Sequence, residues 1–376
     1  MSVSVDTQAE IAKLSRLLQV SEKKLKYLEV IPPTALHELR DQVADLMFDP
    51  EASGLHHLVG LTRMLPASLV ATITEKSLPP LLTARISGIV ELDQAIAVTR
   101  RLPIAYMAEV AANMDPRTAQ EVVGGMPKAT IVQVAAELAN RSDFVTLGSM
   151  ATHVDEEVLS GCFDLIDDHV LLRIAFVFEN KSILNATIEL MEDDKLINVL
   201  RAGSKQSLWP EALDLASHLD KTQHARVANL VASDDQGLLE SLIDATYREH
   251  LWSAVLPLLV GMTAENLERV AELPQIAEPH LLDDALKAAT EENLWSELLL
   301  LATEMANLAP LASAMARTDE ETFAGFVGAF SKKKNASRVR KILERMPRKS
   351  RTQLRKRAEK SALSDQLAPI SDLLAD

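Results

Sequence analysis

Three segments of this chain begin alike: LWPEALDLASHLD at 208–220, LWSAVLPLLVGMT at 251–263 and LWSELLLLATEMA at 294–306. They hold all three tryptophans, Trp209, Trp252 and Trp295, each after a leucine and each 43 residues from the next. The likeness extends on both sides. Three and four residues after each tryptophan stand Ala212-Leu213, Val255-Leu256 and Leu298-Leu299. Ten after stand Leu219, Met262 and Met305, and nine before stand Leu200, Ile243 and Leu286. Offsets of three and four mark one face of an α-helix. A period of 43 lies in the range of two-helix HEAT-like repeats. In such repeats each unit leaves an apolar face bare and the next unit covers it. The tryptophans are therefore expected between helices, burying large apolar surfaces, and not on an open stacking ladder.

Composition agrees with a helical stack. Hydrophobic residues make up 47% of the 376, but aromatics only 4%, so the core is built from Ala and Leu, which pack closely and favour helix. No long stretch alternates apolar and polar residues as a strand does. The expected fold class is all-α, a right-handed helical-repeat solenoid. The start, Met1 to Thr7, is polar and lacks the apolar segment of a signal peptide. The longest uncharged stretch, Leu251 to Ala264, is 14 residues, too short to span a bilayer. The single cysteine, Cys162, makes no internal disulfide, which points to a reducing, cytoplasmic setting. It lies in the apolar run Leu159 to Ile166, the place of a buried structural thiol and not of a nucleophile.

Four regions follow. Residues 1–31 form an N-terminal helix. Over 7–30, Ile11, Leu14, Leu18, Leu25 and Leu28 make a narrow apolar stripe, which suits a helix capping the stack, or a short coiled coil. Pro32-Pro33 ends it, because the residue before a proline avoids the helical region. Residues 32–166 carry a second rhythm: Leu65-Pro66 and Leu78-Pro79, then Leu102-Pro103, Met114-Asp115 and Met126-Pro127 at intervals of twelve. Short amphipathic helices run between, as in Ala105 to Asn113 and Ala119 to Gly125, with prolines in first turns, where the missing N–H is no loss. In Met114-Asp115-Pro116 the aspartate is placed to cap the helix that follows. Residues 167–330 hold the 43-residue repeats, and 331–376 a basic helical arm. The stretch 144–208 does not fit the 43-residue frame: Phe144 to Leu184 can be laid over Trp252 to Leu294, but about half a repeat is left over.

The second rhythm resembles a family. Leu102-Pro103, Ala108-Glu109-Val110, Met114-Asp115-Pro116, Ala119-Gln120-Glu121-Val122-Val123 and Met126-Pro127 are similar to the N-terminal superhelical domain of MgtE-type magnesium transporters. They are also similar to the related middle domain of the flagellar switch protein FliG. A fainter echo lies at Met262 to Pro274, through Leu267, Val270, Ala271 and Leu273. The likeness covers residues 60–166 and, more weakly, 205–330. It implies a superhelical fold. No membrane domain and no nucleotide-binding CBS pair is read in the sequence, so magnesium gating is not carried over.

Motifs for a reaction are absent. There is no Gly-rich phosphate loop, nucleophile elbow, metalloprotease helix or cysteine ligand set. His56-His57 is the closest histidine pair, but adjacent helical residues point apart, so joint ligation of a metal is awkward. Acidic doublets recur at Glu156-Glu157, Asp167-Asp168, Asp193-Asp194, Asp234-Asp235, Asp283-Asp284 and Glu320-Glu321. They suit helix N-termini, where carboxylates complement the dipole. Oxygen ligation of Mg²⁺ or Ca²⁺ by two converging turns is the other reading. No catalytic residue, cofactor or metal site is assigned.

Charge is unevenly spread. Residues 331–360 hold 14 Lys or Arg against Glu344 and Glu359, a local +12, while residues 1–330 carry −24. The basic set is Lys332, Lys333, Lys334, Arg338, Arg340, Lys341, Arg345, Arg348, Lys349, Arg351, Arg355, Lys356 and Arg357, with Lys360 at its end. Val339, Ile342, Leu343 and Met346 form an apolar face on one expected helix, which Pro347 stops, and Leu354 and Ala358 on the next. This arm either docks on the acidic body or meets a polyanion. No aromatic residue interleaves it, which disfavours base stacking on a single strand. The expected function is a non-catalytic scaffold that binds a protein partner along its length. The alternatives are binding of nucleic acid or an anionic membrane surface through 331–360, and a divalent-cation-responsive regulatory module.

Overall fold

The computed structural model describes residues 4–48, 59–60, 64–115, 119, 122–178, 180–235, 237–361 and 363. His56-His57 and the helix start at Pro116 lie outside these residues. The described chain is helical throughout, with no strand among the described residues. No helix among them is long and apolar enough to cross a membrane. Compact packing divides the chain into two units, Met1–Gly203 and Ser204–Asp376.

The first unit opens with α1 (Val5–Leu18), a 3₁₀ segment (Glu22–Val30) and α2 (Pro33–Phe48). The single helix expected over 7–30 is broken. Gln19 takes the left-handed conformation at φ 55°, and the Val20 amide returns to the Ser15 carbonyl, closing α1. Ile11, Leu14, Leu25, Leu28 and Leu36 then meet in one small core. Next come α3 (Ala67–Ser77), α4 (Pro80–Ser87), α5 (Leu92–Thr99) and α6 (Ile104–Ala111), helices of two to three turns. Pro66 and Pro103 sit one residue before α3 and α6, at φ near −60°, and not inside them. Then follow α7 (Lys128–Asn140), α8 (Phe144–Met150), α9 (Glu156–Phe163), α10 (Asp168–Phe176) and α11 (Ile183–Leu190). Packing alternates, α3 on α5, α4 on α6, α7 on α9, α8 on α10 and α9 on α11.

Helix α12 (Asp193–Lys205) leads to the second unit. There the chain forms α13 (Trp209–Ser217), α14 (Lys221–Ser233), α15 (Leu238–Arg248), α16 (Trp252–Val255), α17 (Ala264–Glu272) and α18 (Pro279–Glu291). It ends with α19 (Trp295–Glu304), α20 (Ala309–Arg317), α21 (Glu320–Ser331), α22 (Ala336–Arg345) and α23 (Arg348–Lys360). A 3₁₀ stretch, Leu256–Gly261, continues α16.

Helix starts recur in threes: 193, 209 and 221; 238, 252 and 264; 279, 295 and 309; 320, 336 and 348. The steps of 16 and 12 residues seen in the first and last of these already occur at 128, 144 and 156, with Phe144 in the tryptophan's place. The extra half-period in 144–208 is therefore the pair α10 and α11, set between two triplets. The basic stretch is not an appendage by this spacing, for α22 and α23 complete the last triplet. In the second unit helices pack on their counterparts one period on: α13 on α16, α14 on α17, α18 on α21, α19 on α22 and α20 on α23.

The tryptophans mark the seam. Trp209, Trp252 and Trp295 are 4%, 3% and 4% exposed. Two residues before each, and before Phe144, the chain takes a left-handed turn at Ser207, His250, Asn293 and Ser142. After His250, Asn293 and Ser142 the next amide returns five residues to Thr246, Ala289 and Leu138, a Schellman closure. Polar ties then join neighbouring triplets. Arg269 meets Asp235 at 2.6 Å and Arg317 meets Asp283 at 3.1 Å, each across 34 residues. Asn229 accepts from the Thr263 amide at 2.8 Å and donates to the Gly261 carbonyl at 2.9 Å.

Candidate polyanion surface on the last two helices

The sequence gives α22 and α23 strong amphipathic faces, and the apolar side of each is fully used. Val339, Ile342, Leu343, Met346, Leu354 and Ala358 are all 3% exposed or less. Asn335, fully buried, turns the chain into α22 and donates to the Ala329 carbonyl at 2.9 Å. Burying two such faces at about 25 cal/mol per Å² removes any tendency of these helices to float free.

The thirteen basic residues singled out in the sequence do not form one group. Arg345 donates to the carbonyls of Thr303 at 2.5 Å and Met305 at 2.6 Å, where α19 ends. Arg357 donates to the carbonyls of Met315, Thr318 and Asp319, where α20 ends. Its guanidinium carbon also lies 4.3 Å from the centre of the Phe323 ring. The last carbonyls of a helix lack intrahelical donors and carry the negative end of the dipole, so an arginine fork answers both needs. Lys341 pairs with Glu304 at 3.1 Å and Arg355 with Glu359 at 3.5 Å. Burial works against charge on the Glu304 carboxyl. Hydrogen bonds from Lys341 and Thr303 and the charges of Lys341 and Arg345 outweigh it, holding the group below the usual carboxylate range. Arg351 is half-buried and engaged. Lys332 reaches only Asn293, at 3.5 Å.

The remaining cations, Lys333, Lys334, Arg338, Arg340, Arg348, Lys349 and Lys356, have no carboxylate partner among the described residues, and all but the half-buried Arg338 are exposed. Lys360 joins them. The sequence could not separate the two sets, because the acceptors of Arg345 and Arg357 are main-chain carbonyls 38 to 42 residues away.

Several members of the acidic doublets make structural contacts. Asp234 accepts from the Leu238 amide at 3.2 Å. Asp235 and Asp283 hold the arginines already named, and Asp284 lies 3.3 Å from His250. Glu157 and Asp155 both meet Lys128, at 2.5 and 2.8 Å. Hydrogen bonds to Asp155 and Glu157 raise the Lys128 amine above its ordinary value, and the same contact lowers Asp155. Among the described residues no group of three or more His, Cys, Asp or Glu is placed to hold a metal ion. Cys162 is half-buried, and burial pushes its thiol up to about 11, so it is uncharged at neutral pH.

One feature was invisible in the sequence. A cavity of about 340 Å³ in the first unit is lined by α1, α2 and the ends of α6 and α8. Lys13, 7% exposed, pairs there with Glu10 at 2.9 Å, and Arg16 grips Asp143 at 2.9 Å across 127 residues. Arg40 also faces Glu10, at 3.5 Å. The cationic wall is thus answered by carboxylates in place. Compared with protein families, with curated proteins and with solved structures, the chain finds no match.

Proposed function

We propose that this chain is a right-handed helical-repeat solenoid acting as a non-catalytic scaffold for a protein partner. The observation that supports it is the packing, in the second unit, of α13, α14, α18, α19 and α20 on their counterparts one period later. Stacking of that kind extends in one direction and leaves a long side surface, which is how repeat proteins hold partners. The likeness to the superhelical domains of MgtE-type transporters and FliG supports the same fold for the first unit and carries no activity with it. The lone, uncharged thiol fits a reducing, cytoplasmic setting.

A second reading, of a polyanion-binding protein, is favoured by the exposed cations on α22 and α23. A divalent-cation-responsive module is the weaker proposal, because the doublets have caps and arginines as alternative duties.

Small-angle scattering tests the solenoid. A compact chain of 376 residues has a radius of gyration of about 21 Å. A value well above this, with an elongated distance distribution, is expected, and a value at the compact figure overturns the solenoid. The scaffold is tested by affinity capture from native extract, followed by reconstitution with each purified candidate. A stoichiometric complex that leaves the partner chemically unchanged is expected. Turnover of the partner or of a small molecule overturns it.

A further inference from the structure

We infer that the outer face of α23 binds the phosphate backbone of double-stranded nucleic acid without reading its sequence. Leu354 and Ala358 fix which side of this helix is buried. The opposite side carries Lys349, Gln353, Lys356 and Lys360, all exposed, at steps of four, three and four residues. Those steps place them in one row along the helix. At 1.5 Å per residue the row is about 16 Å long. Arg348 stands beside its first member and is exposed. Glu359, the one acid of α23, is drawn to Arg355 and leaves the row unneutralised.

Three lysines in one row, with Arg348 exposed at its start, call for a partner dense in negative charge. Double-stranded DNA presents one charge per about 1.7 Å of its axis. The choice of a rod over a membrane follows from the rest of the unit. Residues 204–330 hold 7 Lys or Arg against 21 Asp or Glu. A broad anionic surface approaching the row is repelled by this net negative charge over a wide area, whereas a rod can touch the row alone. The face also lacks what membranes and single strands need. No large hydrophobic side chain is exposed among the described residues of 331–361, so nothing can enter the acyl region. No aromatic residue is present to stack a base. The contact is made by flexible amines to phosphates, which position a duplex but do not specify bases.

This narrows the basic stretch to a small set. Arg345 and Arg357 hold α22 and α23 in place, and Arg348, Lys349, Lys356 and Lys360 meet the ligand. Four contacts give a slope of log affinity against log salt of about −3.6. That is about a 150-fold loss of affinity between 50 and 200 mM salt.

The test uses the full chain and a labelled 20-base-pair DNA of arbitrary sequence, followed by fluorescence anisotropy. Binding at 50 mM salt with a slope near −4 is expected, indifferent to a shuffled sequence and equal within a few-fold for an RNA duplex. The triple variant Lys349→Ser/Lys356→Ser/Lys360→Ser should lose at least about tenfold in affinity, with an unchanged melting curve. A control with Lys205→Ser/Lys221→Ser/Lys287→Ser, of equal net charge, should keep the affinity. The inference is overturned by any of these: no duplex binding at 50 mM salt; equal loss in the control; tighter binding to single strands; or tighter binding to vesicles containing phosphatidylserine. A slope shallower than −2 in the unmutated chain overturns it without any variant.

Discussion

The guanidinium of Arg357 lies over the ring of Phe323 and donates into the last carbonyls of α20. One side chain thus joins three helices: α23, which carries it, α21, which carries the ring, and α20, whose end it caps. Hydrogen bonds to a charged donor contribute about 1.5–3 kcal/mol, and those made by one guanidinium do not add, so that range is taken for the set. The cation over the ring adds about 0.5–1 kcal/mol. Arg357→Ala should therefore loosen α23 by about 2–3 kcal/mol, seen as amide exchange about 30- to 150-fold faster over 350–360. Arg357→Lys keeps the charge but not the fork and should fall between. Unchanged exchange in both variants would show that α23 is held by Leu354 and Ala358 alone.

Gly325 stands directly against Trp295. A Cβ at Gly325 would lie 2.8 Å from the indole Nε1 and 3.5 Å from the Thr290 methyl. The ring is buried and backed by Phe326, whose centroid is 5.8 Å away, so it has little room to retreat. Gly325→Ala should cost about 1–3 kcal/mol as overpacking, although alanine is the better helix former. Trp252→Ala removes a comparable side chain with neighbouring triplets on both sides and should cost about 3–5 kcal/mol. Trp252 emission typical of a water-exposed indole, measured in a variant keeping only that tryptophan, would contradict its burial.

The turn before each tryptophan gives a sharper test. His250 is held at φ 55°, a conformation costing a non-glycine residue about 1–2 kcal/mol. Glycine removes that cost but loses about 0.5–1 kcal/mol to chain entropy. His250→Gly should be neutral or stabilising by up to about 1 kcal/mol. His250→Val, branched at Cβ, should be destabilising by more than histidine already is. A thermal melt in high salt, where the exposed contact with Asp284 is screened, isolates the backbone effect. A melting temperature raised by valine would refute it.

These turns also show where the sequence was legible. Tryptophan is large and scarce here, so three copies at equal spacing stood out against a chain rich in Ala and Leu. The triplet at 128, 144 and 156 carries Phe144 instead, and its frame is then shifted by α10 and α11, so it surfaced only as an overlay with a remainder. The last triplet has no aromatic at the start of α22 and is overwhelmingly basic, so its composition hid its place in the series. The cation set was legible as charge and illegible as contact. Arg345 and Arg357 answer carbonyls, which leave no mark in the residue types. Likewise the pairing of Arg16 with Asp143 joins helices 127 residues apart, a distance no local pattern encodes.

Cys162 allows a test by pH. Its thiol moves from an ordinary value of 9.0 to about 11 through burial alone. At pH 8 the thiolate fraction falls about 100-fold, and the thiolate is the reacting species. Alkylation by iodoacetamide at pH 8 should be at least that much slower in the native chain than in urea. The sign for stability follows. A raised acid favours the folded state below about pH 9 and loses that contribution as pH climbs towards 11. Cys162→Ala should flatten the stability curve over that interval. Native alkylation as fast as in urea would show an open, reactive thiol.

The acidic doublets separate the scaffold from the cation-responsive module. Asp283 holds Arg317 at 3.1 Å and Asp284 lies 3.3 Å from His250, with all four side chains partly or largely exposed. Exposed pairs of this kind contribute about 0.2–1 kcal/mol. Asp283→Asn/Asp284→Asn should therefore lower stability slightly, and less so in high salt, where such pairs are screened. If these carboxylates serve only as caps and cross-ties, millimolar Mg²⁺ shifts the melting temperature no further than NaCl of equal ionic strength. A cation that binds the native state alone behaves differently, because it stabilises progressively once its concentration passes the dissociation constant. A saturable, Mg²⁺-specific rise that disappears in Asp283→Asn/Asp284→Asn or in Asp193→Asn/Asp194→Asn would establish a site. It would also move the cation-responsive reading ahead of the inert scaffold.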